Sequence, residues 1–217
     1  MITALQGISR YALNPEMHYN TPMLEELKLT SRMISMHPRV LDTIPQSLKS
    51  LDLDLHTRQQ GHDDSPILCY LNTIALQCQL KELVLQFNSH ANVARILDAV
   101  YRHNHLECLK ISFTDEWKSY PMDSFLDGLI KACPRVSHLE LKCTNAPSTY
   151  AISTLKRLPQ LNKVSFSVNG PVIKDSFWDA IQTFSQLKCI TIFKSPVAQH
   201  ERIDHLKKQR PDMEIIH

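Results

Sequence analysis

The sequence predicts an α/β solenoid, a curved right-handed stack of about eight repeats with a parallel sheet on its concave face and helices on its convex face. Three observations predict it. Leucine is in excess, at 28 of 217 residues. The spacing Φ-x-x-Φ-x-Φ, where Φ is apolar, recurs with a mean separation of 27 residues. Helical patterns separate these copies. Because no single copy can bury its apolar residues alone, stacked copies should share one continuous core.

Each apolar copy predicts one short strand. The first apolar positions of the seven complete copies are Leu24, Leu48, Leu80, Leu106, Val136, Leu161 and Leu187, and a truncated eighth copy is Met213 and Ile216. Proline stands two residues before the first apolar position in four of the eight copies. Proline cannot continue a helix and pushes the residue before it toward extended geometry. Each repeat should therefore be a helix that stops, a corner and a strand.

Three segments between the strands have the spacing of helices with one buried side. Their apolar residues are Val93, Ile96, Leu97 and Val100; Leu126, Leu129, Ile130 and Cys133; and Phe177, Ile181 and Phe184. Residues typical of helix starts precede several helices. These are Ser65-Pro66, Ser195-Pro196 and Asp175. We therefore expect residues 24–217 to form the repeat domain and residues 1–23 a helical or irregular lead-in.

Composition excludes several classes of protein. The 24 basic and 22 acidic residues give a formal charge of +2, which offers no electrostatic argument for nucleic acid or an anionic membrane. No apolar run approaches the 18 residues of a membrane span. Residues 1–10 lack the features of a signal peptide, and the six cysteines are scattered without a CxxC pair. A reducing compartment, the cytoplasm or nucleus, is therefore expected.

One segment carries a family resemblance. Residues 132–141, ACPRVSHLEL, together with the recurring strand, polar corner and helical return, resemble a leucine-rich repeat of the longer, ribonuclease-inhibitor-like type. The segment is similar to the cysteine-containing subtype common in F-box proteins, and the resemblance covers about residues 20–217. It implies a non-enzymatic protein-binding scaffold, similar to the substrate-recognition module of F-box ubiquitin ligase subunits. Residues 1–20 are too few for a three-helix F-box, so ligase core subunits are expected partners only if an F-box exists elsewhere.

The candidate binding residues lie between the apolar strand positions and in one long loop. Residues between the apolar positions should face solvent on the concave sheet. Loops 57–65 and 115–121 should project from one edge, and aromatic residues there favour protein contacts. The candidates are Trp117, Tyr120, Asp52, Asp54, Glu82, Lys110, His138, Glu140, Lys142, Lys163 and Phe193. The candidates from the first strands are mostly acidic, and those from the later strands are basic and then apolar. A face of this kind suits a protein partner of complementary charge. The alternatives are a merely solvated polar face and a Trp117 side chain that packs inward.

Motifs for chemistry are absent from the sequence. It has no glycine-rich phosphate loop, no G-x-S-x-G elbow and no zinc signature among its eleven histidines. We therefore expect no cofactor, metal or catalytic residue. Two alternatives stay open: a regulator of a small GTPase acting through Arg32 or Arg58, and a hydrolase using residues 62–64. The last strand should leave an unpaired edge through which copies could self-associate.

Overall fold

The computed structural model describes residues 4–5, 24–36, 42, 44, 46–56, 65–88, 93–113, 122–142, 148–167, 175–193 and 200–217. Within these residues one sheet contains nine parallel strands in sequential order. The strands are β1 (Ala4–Leu5), β2 (Glu26–Thr30), β3 (Ser50–Leu55), β4 (Glu82–Phe87), β5 (Cys108–Phe113), β6 (His138–Lys142), β7 (Lys163–Ser167), β8 (Cys189–Phe193) and β9 (Glu214–Ile216). The predicted parallel sheet is thus confirmed.

A helix follows each strand from β2 to β8. These helices are α1 (Ser31–Met36), α2 (Ser65–Gln77), α3 (Val93–Val100), α4 (Met122–Ala132), α5 (Thr149–Leu155), α6 (Asp175–Gln182) and α7 (His200–Gln209). The three apolar patterns fall on α3, α4 and α6, as the sequence predicts, although Ile130 is only partly buried. The start expected at Ser195-Pro196 lies outside the described residues.

The repeats share one core because their apolar positions are stacked in register. Leu51 faces Leu83, Leu83 faces Leu109, and Leu109 faces Leu139 in successive strands. Each of these leucines is fully buried, as are the helix residues that cover them. A single hydrophobic cluster extends from Leu24 to Met213. Burial of such aliphatic side chains stabilises the fold by about 1.5–3 kcal/mol for each one.

Backbone hydrogen bonds hold the strand entrances together. The carbonyl of Lys81 accepts from the amides of both Glu107 and Cys108, at 2.8 and 2.9 Å. The carbonyl of Glu107 then accepts from Ser137 and His138, and the same arrangement recurs along the stack. Each corner therefore satisfies backbone groups that would otherwise be left unpaired as the strand enters the sheet.

Side chains near the helix ends tie each repeat to the one before it. The Cys133 thiol donates to the carbonyls of Val100 and His103, at 3.7 and 3.4 Å. The buried Arg210 guanidinium donates to the carbonyls of Phe184 and Leu187, at 3.0 and 2.9 Å, and also to Gln182. These donors add hydrogen bonds to carbonyls at the ends of the preceding helices, where Val100, His103 and Phe184 each also accept from a backbone amide.

The structure differs from the sequence expectation at both ends of the sheet. Ala4 and Leu5, placed by the sequence in a helical or irregular lead-in, form strand β1 and pair with Glu26 and Leu27 of β2. In the last copy Ile215, not Ile216, is the register partner of Ile190. The corner before β9 is one residue shorter than the corners of the other repeats. As a result, β9 begins directly after Met213, and the Glu214 amide donates to the Lys188 carbonyl.

Candidate protein-binding face

The open face of the sheet is the side opposite the helices, formed by the residues between the apolar strand positions. From β3 to β6 every such residue is partly exposed, in alternation with a buried neighbour. In-register pairing aligns these residues in three rows that run across the strands. The concave rows expected from the sequence therefore exist as an ordered surface over these strands.

The first part of this surface is a polar network over β2 to β4. Lys28 forms an ion pair with Asp52 at 2.6 Å, and Gln86 donates to the other oxygen of Asp52 at 3.2 Å. Asp54 contacts the His56 ring and also accepts from the His56 amide at 3.2 Å. The acidic residues that the sequence placed on this face are thus held by neighbours of opposite charge or by donors.

The centre of the face is a second network over β3 to β6. The Glu82 carboxylate accepts from Lys110 at 2.6 Å and from the Ser50 hydroxyl at 3.2 Å. The Cys108 thiol lies 3.6 Å from Glu82 and 3.4 Å from Nδ1 of His138. These side chains come from four neighbouring strands, so the parallel register alone brings them together.

Burial and neighbouring charges set the ionisation of this centre. Burial by itself would raise the pKa of the Glu82 carboxyl, but hydrogen bonds and charge from Lys110 outweigh it and hold that pKa below its ordinary value. Burial works against protonation of Lys110 as well, yet Glu82 raises its pKa. Both groups therefore stay charged and paired near neutral pH.

Burial raises the pKa of the Cys108 thiol to about 11, and the Glu82 charge adds to the effect while Lys110 opposes it. The pKa of His138 is lowered by burial and by the positive charges of Lys163 and Lys110. The Cys108–His138 pair is consequently a neutral thiol beside a neutral imidazole at pH 7. A thiolate nucleophile needs the opposite environment.

The remaining candidates occupy different places. Lys142 forms an ion pair with Glu140 at 2.7 Å, and Lys163 is partly exposed on β7. Further along, the face closes, since Ser165, Cys189 and Thr191 are only 2%, 8% and 8% exposed. The expectation that all of these rows face solvent is therefore wrong at β7 and β8, where short side chains lie below their neighbours. Trp117, Tyr120 and the side chain of Phe193 lie outside the described residues.

The alignment of the apolar copies places Ser50, Gln86, Cys108 and His138 on the concave face, but it does not predict their contacts. Motif spacing gives no sign of the Cys108–His138 contact, because the two residues are 30 apart in the sequence. The register of the repeats is the signal that brings them to the same position of adjacent strands.

Nine sequential parallel strands, with a helix after each of β2 to β8 and one shared core, make the chain a leucine-rich-repeat solenoid. No protein-family model and no curated protein matches the sequence. Among solved structures, the chain is similar to the "Crystal structure of TLR13-ssRNA13 complex", with 12% sequence identity, a TM-score of 0.46 and 82% of this chain covered. The match spans 27% of that other chain. A likeness of this degree carries no argument about function.

The described residues hold neither a metal-binding cluster nor a membrane-spanning helix. Within them, no group of three or more His, Cys, Asp or Glu side chains is arranged to hold a metal ion. None of the helices in the described ranges is long and apolar enough to cross a bilayer.

Proposed function

We propose that this protein is a protein-binding scaffold that contacts its partner through the open face of strands β2 to β6. The observation that carries the proposal is the polar network described above. Lys28, Asp52, Glu82 and Lys110 are partly exposed and are fixed by contacts between strands rather than free in solvent. Side chains that are already ordered lose less entropy on binding, which favours affinity and specificity.

The chemistry of the centre supports binding rather than catalysis. Cys108 and His138 are close enough to suggest a nucleophile and its base, but the thiol is held protonated by burial and by Glu82. Covalent catalysis by cysteine requires a thiolate. The proposed scaffold is therefore not an enzyme of this type.

A finer function is target recognition of the kind performed by F-box leucine-rich-repeat subunits of ubiquitin ligases. Its support is the resemblance of residues 132–141 to the cysteine-containing repeat. Cys133 of that segment is buried and bonds to the preceding repeat, so its position has a structural role in this chain. Trp117 and Tyr120 remain proposed contact residues.

The proposal is tested by affinity purification from cells, with mass spectrometry of the recovered proteins. The test variant exchanges the two members of an open-face ion pair, Lys28→Asp with Asp52→Lys, so that a pair remains while the surface charges are reversed. We expect recovery of the specific partner to fall about tenfold or more, as for a loss of about 1.4 kcal/mol or more at an interface.

The control exchanges a more exposed ion pair on the helix side, Arg202→Asp with Asp175→Arg, whose atoms are 2.8 Å apart. This control should retain the partner. If the open-face variant recovers as much of the partner as the native protein does, the proposed surface is contradicted. Recovery of ligase core subunits would support the finer function, whereas recovery of a small GTPase would replace it.

A further inference from the structure

One histidine lies inside the stack. His103 follows α3 and is 3% exposed. Nδ1 and Nε2 of its ring are both buried, and neither makes a hydrogen bond of ordinary geometry. The Leu71 carbonyl of α2 is near enough to interact weakly with the ring. Such a ring is tolerated in its neutral form, but a proton added to it would create a buried charge with no counter-charge.

The same position in later repeats is filled differently. Three residues before the first apolar position of a strand, the chain has His103, Cys133, Leu158, Phe184 and Arg210. All five are buried. Cys133 and Arg210 use their polar atoms to bind carbonyls of the preceding repeat, and Leu158 and Phe184 have none. His103 is the member of this column whose polar side-chain atoms make no hydrogen bond of ordinary geometry.

The surroundings of His103 oppose protonation. Burial lowers its pKa from 6.5 to about 4, and the Leu71 carbonyl of α2 offsets only part of this effect. From the next repeat, the Cys133 thiol donates to the His103 carbonyl at 3.4 Å, and burial raises the pKa of that thiol to about 12. Among the described residues no charged side chain contributes to the shift of His103.

The sign of the pH dependence follows. In an opened state the imidazole is exposed and titrates near its ordinary pKa of about 6.5. Between pH 6.5 and pH 4 the opened state therefore binds more protons than the native, packed state. The free energy of opening is largest above pH 6.5 and decreases as the pH falls through this range.

We propose that His103 is an acid-sensitive joint in the solenoid, where protonation loosens the packing of the segment after α3 against α2 and the end of α4, and with it the strands β4 and β5 at the centre of the open face. The joint is placed to act there because His103 lies between these two strands in the chain and bonds through its carbonyl to the end of α4. Repeat proteins can open locally, since each repeat is stabilised by its neighbours only.

Hydrogen–deuterium exchange with mass spectrometry tests the joint at pH 7.5 and pH 5.0, after correction for the intrinsic exchange rates. Peptides that cover residues 82–87 and 108–113 should show an opening constant on the order of 30-fold larger at pH 5.0 in the native protein, as the two pKa values of His103 require. A peptide covering residues 200–209 should change much less.

The His103→Leu variant copies the residue at the equivalent position 158 and should remove most of this pH difference. His103→Cys, which copies position 133, provides the same test if the leucine variant does not fold. His205→Asn is the control, because it removes an exposed histidine of α7 that lies outside both monitored strands, and it should leave the local response in place. Equal protection of the native protein at both pH values, or an unchanged response in the His103 variants, would overturn the proposal.

Discussion

Cys108 and His138 illustrate how neighbours, rather than residue types, decide the chemistry of a side chain. The two groups lie 3.4 Å apart in the middle of the open face. Partial burial and the Glu82 carboxylate favour the neutral thiol more than Lys110 favours the thiolate. The pair therefore contributes shape and hydrogen bonding to the surface without forming a nucleophile.

This assignment predicts slow alkylation of Cys108. With a pKa of about 11, only about one thousandth of the thiol is ionised at pH 8, and the thiolate is the reactive form. Iodoacetamide should modify the exposed Cys69 well before Cys108, as measured by peptide mass spectrometry over time. The Cys108 rate should keep rising up to about pH 11. Modification of Cys108 as fast as Cys69 at pH 7 would contradict the assignment.

Gly128 of α4 is required by the ring of Tyr101 from the preceding repeat. A Cβ atom at position 128 would lie 2.5 Å from Cζ and 2.7 Å from Oη of Tyr101. That ring cannot easily move, because its hydroxyl donates to the Phe125 carbonyl at 3.1 Å and the ring stacks on Phe125. The close approach explains a glycine within a helix, where it otherwise costs stability.

Gly128→Ala should lower the free energy of unfolding by up to about 2 kcal/mol. The clash with Tyr101 costs about 1–3 kcal/mol, and the helix-propensity gain of about 1 kcal/mol offsets part of this cost. Urea denaturation measures the change. When Tyr101→Leu is introduced first, the same alanine substitution should become neutral or stabilising. A single Gly128→Ala variant more stable than the native protein would show that the contact with Tyr101 is not restrictive.

At the scale of one element, Arg210 attaches the last helix to the stack. Its guanidinium donates to Gln182, Phe184 and Leu187 carbonyls of the preceding repeat. The same group forms a two-point contact with Asp212, whose pKa its hydrogen bonds lower to about 2. Lys207 and Lys208, which precede Arg210 in the last turn of α7, are exposed, whereas Arg210 is buried.

Arg210→Met should release α7 and β9 while the other repeats stay folded. The substitution removes three hydrogen bonds from a charged donor to carbonyls of the preceding repeat, which should cost the last repeat about 2 kcal/mol or more. Hydrogen exchange should therefore rise in residues 200–216 and remain unchanged in residues 82–113. Asp212→Asn keeps the carbonyl contacts and should have a smaller effect. Unaltered exchange in residues 200–216 of the Arg210 variant would exclude this role.

The register of β9 gives a second test at the level of an element. Ile215 packs against the core and faces Ile190, whereas Ile216 is 43% exposed. Ile215→Ser should destabilise the last repeat by about 1–2 kcal/mol, and Ile216→Ser should change it by about 0.5 kcal/mol or less. Local hydrogen exchange of residues 200–216 measures both. A larger destabilisation by Ile216→Ser than by Ile215→Ser would instead support the sequence expectation, in which Ile216 occupies the apolar position of the last copy.

Periodic burial made most elements predictable from the sequence. Val93, Ile96, Leu97 and Val100 predict α3 correctly because a helix with one buried face needs this spacing. Contacts between repeats were harder to predict from the sequence. The role of Arg210 depends on carbonyls more than 20 residues away, and the position of Ile215 depends on a corner shortened by one residue. Neither leaves a local signal in the sequence.

The open face was predictable in outline but not in its charge pairing. The sequence places Asp52, Glu82 and Lys110 on one side of the sheet, and the structure agrees. The structure also pairs Asp52 with Lys28 and Glu82 with Lys110. The charges of these acidic and basic groups therefore largely cancel locally. A partner would therefore recognise a fixed pattern of paired charges over β2 to β5.

At the scale of the whole molecule, the account depends on one continuous stack. The strands follow each other in sequence, share one core and are joined by backbone bonds from every corner to the next. The rows of the open face exist only because this register continues without a slip from β2 to β8. His103 and the centre of the open face belong to the same continuous stack of repeats.

The most direct test is an NMR measurement of nuclear Overhauser effects between backbone protons of neighbouring strands. Contacts should link residues around Val84 to those around Lys110, and those around Lys110 to those around Glu140, in parallel register. This result would confirm that the middle row of the proposed binding face is continuous. Antiparallel contacts between these strands, or the absence of contacts between β5 and β6, would contradict both the solenoid and the surface built on it.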